Sequence, residues 1–416
     1  MMKIAYVVPY VPNLIRTRSY NLIVNLSALG HDVEVFTLGS GTQDVEDARL
    51  LREKCREVHY YDQPVWRSLL NSALAVPSMR PLQSVYSWQG GMAHDLLQQV
   101  FHNKFDVVHV EHIRGSRYGA FLRSQVRGVP VVWDSVDCIS NLFQQASDQS
   151  GNFFGKIITR FELPRTRLAE GSLVCNFDHV LVTSLVDRDK LLELVPERRS
   201  AAPISVLSNG VDFDYFHPDP ETRHEPDTLV FSGKMSYHAN IKMAQYLFTD
   251  IMPRVWMTRP NVKLLIVGKD PPSDVQKLAN HPMITVTGEV DDIRPYLWRA
   301  AIAVVPLIYG AGIQNKVLEA MAVGLPVIAT PKAVSALEIV PGREIVVAED
   351  PSVFAADILR LLAKQDLRSA ISVVGLDYVR KHHNWRMIAQ QLVDVYSTSM
   401  ASVQKNDTGA DVSRNF

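Results

Sequence analysis

Two series of short runs rich in Val, Ile and Leu restrict what this chain can fold into. The first comprises KIAYVV (3–8), HDVEVFTL (31–38), DVVHVEH (106–112), PVVWDSV (130–136), HVLVTS (179–184) and ISVLSN (204–209). The second comprises TLVFSG (228–233), KLLIVG (263–268), ITVTG (284–288), AIAVVPL (301–307) and LPVIAT (325–330). Most are apolar on consecutive positions, and helix-length segments lie between them. Strands without a polar face must be covered on both sides, as in parallel sheets. The expected class is therefore α/β, with two doubly wound, Rossmann-like domains.

A chain of 416 residues also exceeds what one ordinary core supports, which fits one domain per series. Between the series lies SNGVDFDYFHPDPETRHEPDT (208–228), with an Asn-Gly turn signal and three prolines. The expected division is 1–210, a linker at 211–227, and a second domain at 228–383. The segment after about residue 400, ASVQKNDTGADVSRNF, is polar and rich in small residues, so 401–416 is expected to be a frayed tail.

Composition excludes several classes. The formal net charge of −1 gives no global reason to expect nucleic-acid binding. Cys55, Cys138 and Cys175 are scattered without zinc-ligand or disulfide spacing, which suits a reducing compartment. No run of about 18 uncharged apolar residues is present, so no membrane span is expected. MMKIAYVVPY lacks the features of a secretory leader, and the expected address is the cytoplasm. The first strand runs into PYVPNLIRTRSY, with prolines where a dinucleotide fold needs glycines, which disfavours a dehydrogenase. The lysine of GAGIQNK is not preceded by glycine, so this is no ATP-binding P-loop.

The chemistry concentrates in GAGIQNKVLEAMAVGLPVIA (310–329), a glycine turn, an apolar helix and a strand. Lys316 and Glu319 lie one turn apart on one face of that helix. A lysine in a helix's first turn opposes the dipole unless an anion shares the site. Glu319 is placed to accept two hydrogen bonds from vicinal hydroxyls. An anion beside a diol describes a nucleoside diphosphate. The alternative is an i,i+3 ion pair beside a plain turn.

Four stretches in register carry a family resemblance over roughly residues 205–395: SNGVDFDYFHP, FSGKMSYHAN, VTGEVDDIRPYLWRA and KVLEAMAVGLPVIAT. Together they resemble the family-4 retaining glycosyltransferases of GT-B fold, in which two Rossmann-like domains face a cleft. GIQNKVLEAMA, with an early RSY and DSVD, resembles a bacterial exopolysaccharide-associated branch of that family. The resemblance implies that Glu319 holds the ribose of a nucleotide-sugar and that Lys234 and Lys316 clamp its diphosphate. Gly233, Gly310, Ala311, Gly312 and Ile313 would border the sugar and phosphates, and Glu289 and Val290 the base. Such lysines stabilise charge growing on a diphosphate leaving group and make a catalytic metal unnecessary. No metal and no resident cofactor is expected. Ala311 stands where relatives often have a glutamate against the donor sugar, and Ala239 where many have a lysine. The closing HNWRMIAQQLVDVY resembles the family's last helix, so 384–400 is expected to cross back to the first domain.

The first half matches the family more loosely. Arg16 and Arg18 open the first helix and are expected on the phosphate or acceptor side. Glu111 and His112 end one strand; Asp134 and Asp137 end another, where many relatives have a histidine. Asp137 and Glu111 are the expected catalytic carboxylates, with His112 and Asp134 on the acceptor side; a helix N-cap is the plainer role for such an aspartate. Residues 66–88 and 153–168 mix basic and apolar side chains, and in relatives such segments frame a lipid-linked acceptor. Contact with anionic lipid is one reading, and an ordinary helix with a solvated face is the preferred one. The expected protein moves a sugar from a nucleoside diphosphate donor to a glycan or lipid-linked acceptor. A same-fold epimerase or a non-catalytic nucleotide-sugar binder are the alternatives.

Overall fold

The computed structural model describes residues 1–149, 153–222, 224–310 and 312–412. The chain forms two compact units, Met1–Ser208 joined by the segment from Trp385 onward, and Asn209–Asn384.

The first unit is built on a parallel sheet of seven strands in the order β3-β2-β1-β4-β5-β6-β7. These are β1 Lys3–Val8, β2 Asp32–Gly39, β3 Glu57–Asp62, β4 Val107–Glu111, β5 Val131–Val136, β6 His179–Val182 and β7 Ile204–Val206. Successive residues of β1 serve opposite faces, with Ile4, Tyr6 and Val8 in one core and Ala5 and Val7 in the other. The helix Thr17–Ala28 covers the first face through Leu22, Ile23 and Leu26. Trp385, Ile388, Ala389, Leu392 and Tyr396 join the same core from the closing helix, at the spacing of one helical stripe. That helix runs Trp385–Val412. The frayed tail expected from residue 401 is therefore helical through Val412, and residues 413–416 lie outside the described residues. A polar composition is as compatible with the solvated end of a helix as with a tail, and Ala401–Lys405 contains no residue that stops one.

The second unit has a parallel sheet of six strands in the order β10-β9-β8-β11-β12-β13. They are β8 Thr228–Ser232, β9 Lys263–Val267, β10 Ile284–Val286, β11 Ile302–Val305, β12 Val327–Ala329 and β13 Val346–Val347. Residues 211–227, expected as an interdomain linker, are docked on this unit. Val211 N–H donates to the His383 carbonyl at 2.8 Å, Tyr215 hydroxyl to Asp292 at 3.0 Å, and Trp298 indole to the His217 carbonyl at 2.7 Å. Prolines and acids mark a turn-rich path, and they do not say whether that path is free or packed.

Candidate active site

Open parallel sheets take ligands at the carboxyl ends of their strands, where the strand order reverses. In the second unit that reversal lies between β8 and β11. Gly233 and Lys234 follow β8 directly, and the turn at Gly310 and Gly312 follows β11. Gly233 has φ +146°, and a Cβ there would come within 3.0 Å of the Lys316 Nζ and 2.8 Å of the Asn240 Nδ2. Gly268, at the end of β9, is tighter still: a Cβ would lie 1.9 Å from the Gly233 carbonyl oxygen. The two strand ends thus meet backbone to backbone, and the space above Gly233 is kept for a lysine head.

That lysine comes from the helix Asn315–Ala322, whose N-terminus no side chain caps. Val317, Leu318, Ala320, Met321 and Ala322 are buried, which leaves Lys316 and Glu319 as a partly exposed strip. The Lys316 ammonium donates to the Asn240 Oδ1 at 2.5 Å and lies 4.8 Å from the centre of the Phe231 ring. Asn240 is itself fixed, because its amide donates to the Lys234 carbonyl at 2.8 Å. Among the described residues no ion pair joins Lys316 to Glu319, so the plain alternative for the two charges does not form. Burial pushes the Lys316 amine down to about 7, with the Glu319 charge opposing that shift. It pushes the Glu319 carboxyl up to about 7, opposed in turn by Lys316. Each charge is thus poorly solvated, the setting in which ionisable groups at a strand end become candidates for a functional site.

The other expected donor-side groups are more exposed. Lys234 reaches Asp270 at 3.8 Å and Lys269 reaches Glu289 at 3.9 Å, both loose pairs. Glu289 and Val290 border a cavity of about 470 Å³ with Asp291, Asp292 and Tyr296. Ile313 packs against the core beside this site. Ala311 lies outside the described residues.

In the first unit the reversal lies between β1 and β4, and here the structure corrects several expectations. Glu111 is fully buried and accepts the Tyr6 hydroxyl at 2.9 Å on one oxygen and the Tyr10 hydroxyl on the other. It is therefore a buried anchor and not an exposed catalytic carboxylate. Arg18 is 7% exposed and Asp134 0%, and the guanidinium donates twice to one Asp134 oxygen, at 2.8 and 3.0 Å. His109 stacks on Tyr6 with ring centres 4.2 Å apart and bonds the Tyr396 hydroxyl at 2.9 Å. Burial holds its imidazole down to about 4, hence neutral.

The other three expected residues, Arg16, His112 and Asp137, keep some exposure. Arg16 is exposed, lies over the Tyr10 ring, and lines a cavity of about 200 Å³ with Gln63, Ser68 and Arg114. His112 and Val136 both adopt left-handed backbone, at φ +62° and +68°. For a β-branched residue this costs about 1–3 kcal/mol, a strain that tends to mark function. Val136 sits where the register of β5 against β6 shifts, and the bulge delivers Asp137 just past the strand. Asp137 accepts from Thr183 at 3.3 Å, and burial beside Asp187 lifts its carboxyl to about 6.

Comparison with known proteins now bears on this geometry. A family model described as "Glycosyl transferase 4-like domain" matches residues 15–210, and one described as "Glycosyl transferases group 1" matches residues 226–364. Sucrose-phosphate synthase from Thermosynechococcus elongatus superposes with a TM-score of 0.69 at 19% identity, covering 97% of this chain and 100% of that one. The chain belongs to the glycosyltransferases of GT-B fold. The Anabaena protein HepE, solved with UDP-glucose, gives a TM-score of 0.67 at 14% identity over 96% of this chain and 100% of its own. Among curated proteins, the phosphatidyl-myo-inositol mannosyltransferase of Mycobacterium leprae is 27% identical over 48% of this chain and 54% of its own length. The chain spans about half the length of the curated relatives it matches.

Sequence reasoning missed two polar residues beside these groups, Asn240 against Lys316 and Lys269 against Glu289. Asn240 closes the stretch FSGKMSYHAN, and that place is the only signal the sequence carries for it; the structure leaves it 6% exposed, and a buried polar residue on a helix needs a polar partner. Lys269 carries no pattern that separates it from any surface lysine.

Proposed function

We propose that this protein is a retaining, metal-independent glycosyltransferase. It would transfer a sugar from a nucleoside diphosphate sugar, UDP- or GDP-linked, to a glycan or lipid-linked acceptor. The single observation that supports this most is the pair Lys316 and Glu319: side by side, half-buried, unpaired with each other, at the point where strand order reverses. In the proposed reaction the bond from the anomeric carbon to the diphosphate oxygen breaks, and the acceptor hydroxyl oxygen bonds to that carbon. Negative charge grows on the departing diphosphate. Lys316, Lys234 and the uncapped helix end supply positive charge there, so the residues themselves provide what a divalent cation would. Glu319 accepts from the ribose hydroxyls. Asp137, on the first unit, is the proposed acceptor-side carboxylate, and His112 and Arg16 its neighbours in function.

The likeness of GIQNKVLEAMA and DSVD to the exopolysaccharide-associated branch supports a place in bacterial cell-envelope or exopolysaccharide synthesis, with a cytoplasmic address and a peripheral contact with the membrane. The UDP-glucose held by HepE and the mannosyltransferase name of the mycobacterial relative support a hexose donor. The test is incubation of the purified protein with donor sugars and an acceptor panel in the presence of a chelator, with the anomeric configuration of the product read by NMR. The proposal expects a product with the donor's configuration. Donor converted to an epimer without acceptor would mean the epimerase reading, and donor bound but never turned over would mean the non-catalytic binder.

A further inference from the structure

The helix Val65–Ala75 in the first unit is amphipathic the wrong way round. Its buried residues are Ser68 and Ala75. Its large apolar residues face outward: Trp66 is 65% exposed, Leu69 58%, Leu70 50% and Leu74 73%. Met79, in the turn that follows, is 56% exposed. An ordinary amphipathic helix places such residues on the core, whereas here the face left to solvent is the apolar one. A contiguous exposed apolar patch on a folded unit marks a surface that something covers.

Charge says what covers it. Residues 63–94 contain no Asp or Glu, and their exposed cations are Arg67 and Arg80. The helix Phe153–Asn176 is fastened beside them. Arg165 donates to the Val76 and Ser78 carbonyls at 2.9 and 3.0 Å, and Glu162 accepts the Leu82 N–H at 2.9 Å. On that second helix Arg160, Phe161, Arg167 and Leu168 are exposed along one stripe, while its two acids, Glu162 and Glu170, are buried. Among the described residues, none of Arg67, Arg80, Arg160 and Arg167 enters an ion pair. Apolar tips among unpaired arginines, with both acids of the second helix turned inward, form an interfacial surface for anionic lipid. A protein partner of matching shape would need its own apolar patch ringed by acids; an anionic bilayer offers both features everywhere. No helix among the described residues is long and apolar enough to cross a membrane.

We propose that the face formed by the helix Val65–Ala75 and the exposed stripe of Phe153–Asn176 docks on an anionic membrane surface, with Trp66, Leu69, Leu70 and Leu74 inserted. It deepens the membrane contact named with the transferase reading, yet its test uses no donor, so the two fail separately. Full-length protein is floated with vesicles of phosphatidylcholine alone or mixed with phosphatidylglycerol. The wild type rises with the mixed vesicles and not with the neutral ones. Leu69→Glu/Leu70→Glu stays behind with an unchanged melting temperature, and Leu74→Glu does so in part. Arg67→Glu and Arg80→Glu each lower partition by about fivefold or more at low salt. Wild type that ignores anionic vesicles overturns the proposal, as does Leu69→Glu/Leu70→Glu floating like wild type. A wild-type dimer in light scattering that this double variant splits would assign the face to a second copy and overturn it equally.

Discussion

The two units use the same charged residue types for opposite ends. In the first, Arg18, Asp134 and Glu111 are sealed beneath the carboxyl ends of the strands and saturated with partners, two tyrosines among them. In the second, Lys316 and Glu319 sit at the equivalent reversal of strand order, half-buried, with a neutral amide as the hydrogen-bond partner of Lys316. A sealed pair holds the scaffold in register, and losing one member strands the other without solvent. An unsealed pair keeps its unmet electrostatic demand for a ligand. Position at a strand end selects candidates; satisfaction of their hydrogen bonds separates structure from function.

The largest expected effect breaks the sealed side. Arg18→Ala leaves Asp134 buried without a counter-charge and should lower unfolding free energy by about 3–5 kcal/mol in a denaturant titration. A variant of normal stability that has lost transfer would reverse the assignment. Glu319→Ala is the counterpart on the open side. On its proposed role it removes hydrogen bonds from ribose to a charged acceptor, worth about 1.5–3 kcal/mol, so donor affinity should fall by about 10- to 150-fold. Its melting temperature should not drop, because a poorly solvated carboxylate has been removed.

The pH dependence sharpens the contrast. In the free protein the Lys316 amine, held down to about 7, is mostly neutral above that pH, and a diphosphate needs it charged. Binding then takes up a proton and weakens by up to about tenfold per unit as pH rises. The Glu319 carboxyl, pushed up to about 7, is mostly protonated below that pH, while ribose hydroxyls donate to its ionised form. Binding there releases a proton and weakens as pH falls. Affinity should therefore peak near neutrality, measured across buffers. The smallest effect belongs to Asn240→Ala. Losing a neutral hydrogen bond costs about 1 kcal/mol, or roughly fivefold in donor affinity. Because Asn240 accepts from the charged amine, the variant's alkaline weakening should begin at lower pH, a shift that a merely structural role would not produce.

Much of the fold is readable from the apolar runs, since covered strands announce themselves by continuous Val, Ile and Leu. β3 escapes because its sequence, EVHYYD, is that of an edge strand with polar and aromatic residues, and β13 because it is two residues long. On the open side Lys316 and Glu319 are legible as charges in a helix that has no other reason to carry them. On the sealed side Arg18, Glu111 and Asp134 give the same signal as ligand-facing charges. Glu111 is taken up by Tyr6 and Tyr10, and Tyr396, from the far end of the sequence, closes on the neighbouring His109. The helix Val65–Ala75 misleads for a related reason: periodicity shows that an apolar face exists, and only packing shows which way it turns.

Calorimetric titration of uridine, guanosine and adenosine diphosphates into wild type and Glu319→Ala, at about pH 8 in two buffers of different ionisation enthalpy, tests the central claim most directly. The account predicts that at least one nucleotide binds wild type with uptake of close to about one proton, and that Glu319→Ala binds it at least about tenfold more weakly. No binding by any of the three, or equal affinity in the two proteins, would contradict it.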